Sequence, residues 1–417
     1  MTPEHLRALQ TERLRASVAH ARTLPWYDER CRDAGAPMAE TLDLEDLPRL
    51  PFTLKTDFRD HHPFGMFAVP RDQIARLHAS SGTTGKPTIV AYTRGDLDVW
   101  AELVARCLSA AGARAGDILH NAYGYGLFTG GLGLHAGAER LGLAVLPVSG
   151  GQTERQIQLI LDLKPRIIAC TPSYMLALAE AMERAGVDPR DSSLEIGLHG
   201  AEPWSEAMRG EIERRWGLVA LDLYGLSEVM GPGVAQERAD ARGPLTIWED
   251  HFLPEVVDPE TGEPLADGEL GELVLTSLTR EATPVLRYRT GDVTRLCPPA
   301  APHPFRRMER VLGRCDDMLI VRGVNLFPRQ IEELVLETAA LAAHYRIDVR
   351  RDGALDRLCV TVEPAAGVAA EVCEEAGRTL GRRIKDRLGI NAEVMLVDPG
   401  ALARSEGKAR RVFDHRG

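Results

Sequence analysis

The sequence has none of the clustered positive charge that nucleic-acid-binding proteins use. Its 50 Lys and Arg and 61 Asp and Glu residues are scattered along 417 positions, and the net charge is −11. A phosphate backbone is bound mainly through clustered basic side chains, and no basic tract occurs here. We therefore expect no nucleic acid partner.

The chain also lacks long hydrophobic runs. No stretch of about 18 uncharged apolar residues, the length that spans a bilayer, is present. The first twenty residues are amphipathic and polar, unlike the apolar segment of a secretory signal. The sequence thus predicts no membrane association and a cytoplasmic location.

Cysteine is sparse and unpaired in pattern. The seven cysteines are odd in number, widely spaced, and include no CxxC pair. Such spacing predicts neither a disulfide framework nor a zinc site. The expected state is a set of reduced thiols, mostly buried: Cys31, Cys107, Cys170, Cys297, Cys315, Cys359 and Cys373.

Lysine is the scarcest charged residue. Only five of the 50 basic residues are lysines, at positions 55, 86, 164, 385 and 408, which leaves 50 − 5 = 45 arginines. A lysine kept in this background suggests a need for a compact, flexible ammonium group in place of a planar guanidinium. Two of the five, Lys86 and Lys408, fall within the motifs described below.

The length and composition predict a globular protein of more than one domain. At roughly 150 residues per domain, 417 residues indicate two or three cores. Hydrophobic residues at 44% and charged residues at 27% exclude a disordered or collagen-like chain.

The order of sequence patterns predicts the fold class. From about residue 98 to 225, amphipathic helical segments alternate with short apolar runs, which is typical of a mainly parallel α/β sheet. Residues 243–300 change to short alternating segments broken by Gly, Pro and Asp, which predict a β-rich subdomain. After GRCDD at 313–317, helix and strand patterns of about a hundred residues predict a small α+β domain.

A dense cluster of small and hydroxyl residues follows a predicted strand at residues 78–90. It offers four hydroxyls, two glycines and a lysine: Ser80, Ser81, Thr83, Thr84, Gly82, Gly85 and Lys86. Hydroxyls, close backbone amides and an ammonium group suit a nucleotide triphosphate, and the apolar runs on both sides place the loop between strands. The spacing differs from a Walker A loop. The competing interpretation is an ordinary polar turn.

Five motifs occur together in a characteristic order. They are SSGTTGKP (80–87), YGLSE (224–228), YRTGD (288–292), GRCDDM (313–318) and RSEGKARRVF (404–413). In this order and spacing the chain resembles the acyl-adenylate-forming superfamily, which includes acyl-CoA synthetases and peptide-synthetase adenylation domains. Within it the chain is similar to the phenylacetate-CoA ligase branch, through YGYGLFTGGLG (123–133), GAEPW (200–204) and RGVNLFPRQIEE (322–333).

This resemblance implies a two-step enzyme with two domains. An N-terminal domain at 1–315 would bind ATP and an aryl carboxylic acid, and a mobile C-terminal domain would cover 316–417. The acid would attack the α-phosphorus of MgATP to form acyl-AMP, and coenzyme A would then take the acyl group. A homodimer is also implied.

The resemblance further implies which residues hold the nucleotide. Residues 80–86 would wrap the phosphates, and Glu228 would bind Mg²⁺, a task suited to a hard oxygen ligand. Asp292 would accept both ribose hydroxyls with help from Arg314, and Asp222 would accept from the adenine amino group. The remaining predicted nucleotide contacts are Gly200, Ala201, Glu202, Pro203, Tyr224 and Gly225. Taken singly, Glu228, Asp292 and Arg314 would also fit a helix start, a turn and a solvated surface charge.

Two C-terminal residues are implied to act in the chemistry. Lys408 would reach the carboxylate and the α-phosphate and stabilise the negative charge that develops there. Asp316, at the junction of two composition regimes, would be the hinge. The alternatives are a solvated lysine in a terminal segment and an ordinary turn aspartate.

The resemblance also implies that four residues form the acid pocket. Tyr123 and Phe128 would line it, and His199 and Gly200 would cap it. A histidine in an apolar pocket favours an acid that carries a hydroxyl or amino group, so hydroxybenzoates and aminobenzoates compete with phenylacetate. Alternatively, His199 is a satisfied core imidazole that contacts no ligand.

Three functions remain open at this point. The first is an aryl-acid CoA ligase. The second is an aryl-acid adenylating enzyme that loads a carrier protein or an amine acceptor. The third is a non-catalytic nucleotide-binding protein, against which the presence of Lys86, Glu228, Asp292 and Lys408 argues.

Overall fold

The helices and strands reproduce most of the predicted alternation. The computed structural model describes residues 1–80, 87–322, 324–352, 355–404 and 410–416. The α-helices are α1 Pro3–Ala21, α2 Pro25–Asp33, α3 Lys55–Asp60, α4 Arg94–Ala110, α5 Thr129–Leu141, α6 Thr153–Leu163, α7 Pro172–Arg184, α8 Glu206–Trp216, α9 Pro328–Leu336 and α10 Ala370–Leu388.

The strands fall into the predicted regions of the chain. In the first part they are β1 Arg76–Ser80, β2 Thr88–Tyr92, β3 Ile118–Asn121, β4 Ala144–Pro147, β5 Ile167–Ala169, β6 Ile196–Gly200, β7 Val219–Leu226, β8 Gly231–Arg238, β9 Ala241–Ile247, β10 Phe252–Val257 and β11 Gly271–Ser277. They continue with β12 Tyr288–Thr294, β13 Leu296–Cys297, β14 Arg307–Met308, β15 Gly313–Arg314, β16 Leu319–Val321, β17 Val324–Leu326, β18 Leu341–Asp352, β19 Leu355–Pro364, β20 Ala392–Leu396 and β21 Val412–Asp414.

The largest sheet is mainly parallel on one side, as predicted. Its order is β13-β14-β9-β8-β7-β6-β5-β3-β4, and the five strands from β7 to β4 pair in parallel. On β5, Ile167 and Ala169 join one apolar cluster and Ile168 joins another, because successive side chains point to opposite faces. Both faces are therefore covered, which explains why β5 reads as a continuous apolar run.

Helix α5 and strand β3 were missing from the predicted alternation. Half of the first eight residues of α5 are glycine or small, a composition with weak helix propensity. Gly137 is required by packing, since a Cβ there would collide with Val104 of α4. The tertiary contact with α4 therefore stabilises a helix that local propensity does not predict.

The predicted phosphate segment connects two antiparallel strands. β1 and β2 pair along their length, with Ser80 opposite Thr88. The position between strands is thus confirmed, while residues 81–86 lie outside the described residues.

The β-rich subdomain contains a four-stranded antiparallel sheet in the order β10-β11-β12-β15. Its last pairing sets Asp292 of β12 directly opposite Arg314 of β15. The N-terminal helices α1 and α2 pack on this subdomain through a separate cluster that includes Leu14, Tyr27 and Leu286. Thr2 caps α1, since its hydroxyl accepts from the backbone N–H of His5 at 3.3 Å.

The C-terminal α+β unit has its own sheet and core. The sheet order is β20-β19-β18-β21, and α9 and α10 contribute Ile331, Leu380 and Ile384 to one apolar cluster with its strands. The predicted fold class is therefore confirmed. Within the described ranges, no helix combines the length and the apolar character needed to span a bilayer.

Candidate functional site

A cavity of about 180 Å³ opens at the carboxyl ends of β6 and β7. Ligands bind at this edge of parallel sheets. Every predicted adenine and ribose contact lines the cavity: Gly200, Ala201, Glu202, Pro203, Asp222, Tyr224, Gly225, Asp292 and Arg314. Residues separated by more than a hundred positions in the chain are thus brought to one wall.

Asp292 is the centre of a polar cluster in this cavity. The hydroxyl of Tyr224 donates to Asp292 Oδ2 at 2.6 Å, and Arg314 Nη1 donates to Asp292 Oδ1 at 3.3 Å. Burial, followed by the Asp292 charge, raises the pKa of Tyr224 well above its usual value, so its hydroxyl stays a donor. A carboxylate held in this way keeps lone pairs for further donors, which suits a pair of vicinal hydroxyls.

Gly291 gives Arg314 the room to reach this cluster. Its φ is +77°, and a Cβ at this position would lie 2.8 Å from Arg314 Nη2. Any other residue would therefore strain the backbone and displace the guanidinium. Although burial opposes the charged form, the ion pairs with Asp316 and Asp292 raise the pKa of Arg314.

Asp222 lies deeper in the same cavity. Burial is the main cause that raises the pKa of its carboxyl to about 7. Arg310 Nε lies 3.7 Å from Asp222 Oδ2, too far for a strong hydrogen bond. The carboxyl is therefore poised between charged and neutral forms near neutral pH, and a bound amino group would favour the charged form.

Glu228 lies in the turn between β7 and β8 and is only 5% exposed. Ser80, at the end of β1, donates its hydroxyl to Glu228 Oε1 at 3.3 Å. Across the described part of the chain, no Lys or Arg forms an ion pair with this carboxylate. A buried carboxylate without a basic partner, next to the phosphate segment, fits a hard cation that takes its other ligands from phosphate and water.

The described ranges contain no group of three or more His, Cys, Asp or Glu side chains that could hold a metal ion by themselves. A magnesium ion at Glu228 would have to take its other ligands from phosphate and water, and this role stays a prediction.

The two predicted aromatic residues of the acid pocket are placed differently. Tyr123 is partly buried, and its hydroxyl donates to Cys170 O at 2.9 Å and reaches Gly200 O at 3.3 Å. Phe128 precedes α5 and is 52% exposed. Neither residue lines the described cavity, but Tyr123 contacts the strand end at Gly200, which does, whereas Phe128 lies at the surface.

His199 is fully buried on the other side of this strand end. Its Nδ1 bonds to Cys170 O at 3.0 Å, and its ring packs edge-on against Trp204 with centroids 5.5 Å apart. Nε2 has no hydrogen-bond partner, and a Cβ on Gly197 would collide with it. This placement favours a core imidazole, and contact between His199 and an acid stays a prediction.

Replacing His199 with phenylalanine should reduce the loss of folding stability at low pH and leave substrate preference unchanged. Burial lowers the pKa of His199 from 6.5 to about 4, so protons bind the unfolded state more strongly as pH falls below 6.5. The folded wild type then loses stability from pH 6.5 down to about 4, by up to about 3 kcal/mol from this residue. In His199→Phe this part of the loss should disappear in urea unfolding at pH 7 and pH 5. A shift of substrate preference toward unsubstituted arylacetates would instead return His199 to the acid pocket.

The structure describes the predicted hinge, Asp316, but not the predicted catalytic lysine, Lys408. Asp316 accepts from Arg314 Nε at 2.8 Å, so it is tied to the ribose cluster from just beyond β15. Burial works against its charge, but the bond and charge of Arg314 lower the pKa of Asp316. Lys408 lies outside the described residues, as do Ser81, Gly82, Thr83, Thr84, Gly85 and Lys86.

The apolar lining of the cavity escaped prediction. Leu223 and Leu226 of β7 line the cavity from the central sheet. Trp204, Leu245, Met308 and Val311 complete the wall. Trp204 was visible as the last residue of GAEPW, and the guanidinium of Arg310 lies 4.5 Å from its ring centre. The other three come from β9, β14 and a loop, and no sequence signal separates them from ordinary core residues.

Comparison with known proteins gives a consistent result. The AMP-binding enzyme family matches residues 7–279, and the AMP-binding enzyme C-terminal domain matches residues 323–416. A phenylacetate-coenzyme A ligase of Aromatoleum evansii is 56% identical over 99% of this chain and 95% of its own.

Two solved structures of 2-hydroxyisobutyryl-CoA ligase share the whole fold. In the postadenylation state, in complex with 2-HIB-AMP, the match has a TM-score of 0.94 at 29% identity, covering 100% of this chain and 91% of the other. In the thioesterification state, with 2-HIB-AMP and CoA, the TM-score is 0.74 at 30% identity, with the same coverage.

Proposed function

This chain belongs to the AMP-binding enzyme family, in its phenylacetate-CoA ligase-like branch, and we propose that it couples phenylacetate to coenzyme A. It is an AMP-forming acid–thiol ligase, with a carboxylic acid, ATP and CoA as substrates. The observation that carries the proposal is the cavity at the ends of β6 and β7, where Asp292, Tyr224 and Arg314 form one polar cluster.

The nucleotide would be held by polar side chains and enclosed by an apolar wall. Asp292 accepts the two ribose hydroxyls, Tyr224 and the 200–203 strand end enclose the adenine, and Asp222 accepts from its amino group. The apolar wall excludes water, which strengthens each of these bonds. The hydroxyl of Ser80 and the loop that follows it would face the phosphates.

Magnesium would be held by Glu228 together with phosphate oxygens. The cation would neutralise charge on the departing pyrophosphate. Glu228 contributes a buried carboxylate whose described partner is the Ser80 hydroxyl. Its position near β1 supports this role, because the phosphate segment starts at the end of that strand.

Changing Glu228 to glutamine should raise the Mg²⁺ concentration needed for half-maximal adenylation by at least about tenfold. The amide keeps the size of the side chain but removes the negative charge, and losses of tenfold to a hundredfold are typical even for residues that only support metal ligands. Mg²⁺ titrations of ATP–pyrophosphate exchange measure the change. Glu255→Gln, which alters another largely buried carboxylate, paired with Arg287 and absent from the cavity lining, serves as the control. An unchanged Mg²⁺ requirement in Glu228→Gln would remove Glu228 from the metal site.

The reaction would proceed in two half-reactions on one chain. The acid first attacks the α-phosphorus of ATP, and pyrophosphate leaves; the CoA thiol then attacks the acyl carbonyl, and AMP leaves. We infer a boundary between residues 1–315 and 316–417, with a hinge at Asp316. The separate apolar core of the C-terminal unit supports this division.

We favour phenylacetate over substituted benzoates as the substrate because of where His199 lies. The benzoate hypothesis depended on a polar His199 facing the acid. Its Nδ1 is instead committed to Cys170 O, and its ring packs with Trp204. The acid would then meet Tyr123 and the strand end at Gly200, an aromatic and apolar surface.

The test is ATP–pyrophosphate exchange with phenylacetate, benzoate, hydroxybenzoates and aminobenzoates, repeated with CoA and mass detection of the product. We expect phenylacetate to give the fastest exchange and a CoA thioester. A dominant substituted benzoate would overturn the substrate assignment. Exchange without a thioester would favour loading of a carrier protein or an amine, which stays a prediction together with the homodimer and the cytoplasmic location.

A further inference from the structure

Glu180 connects the N-terminal part of the chain to the C-terminal unit through both of its carboxylate oxygens. It lies on α7, within the segment 172–184 that packs on the central sheet. Oε1 contacts Nε2 of His344, which lies on β18, and Oε2 accepts from Nε of Arg404 at 3.2 Å. The side chains of Glu180 and His344 are only 22% and 15% exposed. We call Glu180, His344 and Arg404 the Glu180 bridge.

Arg404 is held rigidly on the C-terminal side of the bridge. Its Nη1 and Nη2 donate to the two oxygens of Glu363 at 2.9 and 2.8 Å. Glu363 is 1% exposed and also accepts from the backbone N–H groups of Gly400 and Leu402 at 3.0 and 2.7 Å. The guanidinium therefore has little freedom, and its Nε–H points at Glu180.

A second connection exists on the far side of residues 405–409. Arg411 contacts Glu332 and lies 3.1 Å from the hydroxyl of Tyr345. The other oxygen of Glu332 accepts from the backbone N–H of Ser205, the N-cap of α8, at 3.1 Å. The segment that carries Lys408 in the sequence is thus flanked by two arginines, each linked through a carboxylate to the N-terminal part.

The charge balance at Glu180 depends on the partners from the C-terminal unit. Burial alone would raise the pKa of Glu180, but the bond and charge of His344, followed by the charges of Arg404 and Arg215, lower it. If the C-terminal unit moved away, Glu180 would lose its contacts with His344 and Arg404. The bridge therefore favours the arrangement in which it is closed.

The arrangement with the bridge closed superimposes at 0.94 on the postadenylation state of the related ligase and at 0.74 on its thioesterification state. The identities are 29% and 30%, so the two scores differ through geometry and not through relatedness. A contact between the two units in this arrangement is therefore a contact of the adenylating form.

We propose that Glu180 is a positioning residue for acyl-adenylate formation. It holds His344 and Arg404 against the N-terminal part of the chain and must release them before thioester formation. This rests on the proposed function. Glu180 acts through the C-terminal unit and does not touch substrate. Its removal should therefore separate the two half-reactions.

The experiment compares both half-reactions in Glu180→Gln. Adenylation is measured as ATP–pyrophosphate exchange with phenylacetate, and thioester formation is measured with CoA and supplied phenylacetyl-AMP. We expect the kcat of exchange to fall about tenfold, within the usual range for coupling between sites, with KM for ATP and acid nearly unchanged. Thioester formation should be unchanged or faster. An equal loss in both half-reactions, or no loss of exchange, would overturn the proposal.

Glu183→Gln is the matched control. Glu183 lies on the same helix, but its Oε1 accepts from Arg215 Nε of α8 at 3.0 Å, so this pair stays within the N-terminal part. Wild-type rates are expected for both half-reactions. If Glu180→Gln does not fold, His344→Ala carries the same comparison, since the side chain of His344 bonds to Glu180 in the described part of the chain.

The double variant Glu180→Gln/His344→Ala adds an independent measurement. Residues that act as one contact give non-additive effects, so the double variant should lose little more exchange than either single variant. Additive losses would overturn the bridge. Absence of exchange in the wild type with every aryl acid would overturn the proposed function itself, and the role of the bridge with it.

Discussion

Replacing Lys408 with alanine should slow acyl-adenylate formation by about a hundredfold or more, the usual cost of losing a donor that stabilises developing negative charge. The attacking carboxylate and the α-phosphate are both anionic, and the ammonium group would reduce their repulsion. Thioester formation from supplied acyl-AMP should change little, because the C-terminal unit that carries Lys408 would have moved away from the site before that step. ATP–pyrophosphate exchange and thioester assays on the same preparation measure both.

Lys385→Ala is the control for this prediction. Lys385 is another of the five lysines and is exposed on α10 of the same C-terminal unit. Both half-reactions should keep wild-type rates in Lys385→Ala. Unchanged exchange in Lys408→Ala would sink the assignment of Lys408 and favour a solvated terminal charge.

Replacing Asp292 with alanine should reduce kcat/KM for ATP on the order of a hundredfold. Hydrogen bonds to charged groups contribute about 1.5–3 kcal/mol each, and two ribose hydroxyls depend on this carboxylate. The variant also leaves the hydroxyl of Tyr224 and the guanidinium of Arg314 without the partner that they have at 2.6 and 3.3 Å. Steady-state kinetics with ATP at saturating acid measure the loss.

A deoxynucleotide distinguishes the ribose role from simple damage to the site. With the wild type, 2′-deoxyATP should react about tenfold less efficiently than ATP, because one hydroxyl bond is missing. With Asp292→Ala the two nucleotides should react almost equally. If the variant still distinguished them as the wild type does, Asp292 would not hold the ribose. Asp188→Ala, which changes an exposed aspartate paired with Arg190, should behave as the wild type.

Most of the fold was accessible from the sequence, because burial leaves a periodic pattern. The apolar runs at β5, β6 and β7 and the helices between them were predicted as one parallel sheet. Helix α5 was missed because its glycines hide the helical pattern, and only packing against α4 explains them. Local propensity is a weak guide wherever tertiary contacts supply the stability.

The polar part of the candidate site was predicted better than the apolar part. Gly200, Asp222, Tyr224, Asp292 and Arg314 all line the cavity. They were implied by the resemblance to the acyl-adenylate-forming superfamily, whose motifs GAEPW, YGLSE, YRTGD and GRCDDM contain or adjoin them. Leu245, Met308 and Val311 resemble any core residue, so their contribution to the cavity needed the structure.

The sequence by itself determined the order of elements, the family and the chemical types available for binding a nucleotide. The tertiary structure alone decided which of those groups meet. Asp292 reaches Tyr224 across 68 positions of the chain, and Arg404 reaches Glu180 across 224. The sequence shows that the side chain of His199 is polar, but only the fold shows that its Nδ1 bonds to Cys170 O. The physical reason is that a motif records residues close in sequence, whereas the pairing of charges and the direction of a side chain depend on which surfaces the packed chain brings together.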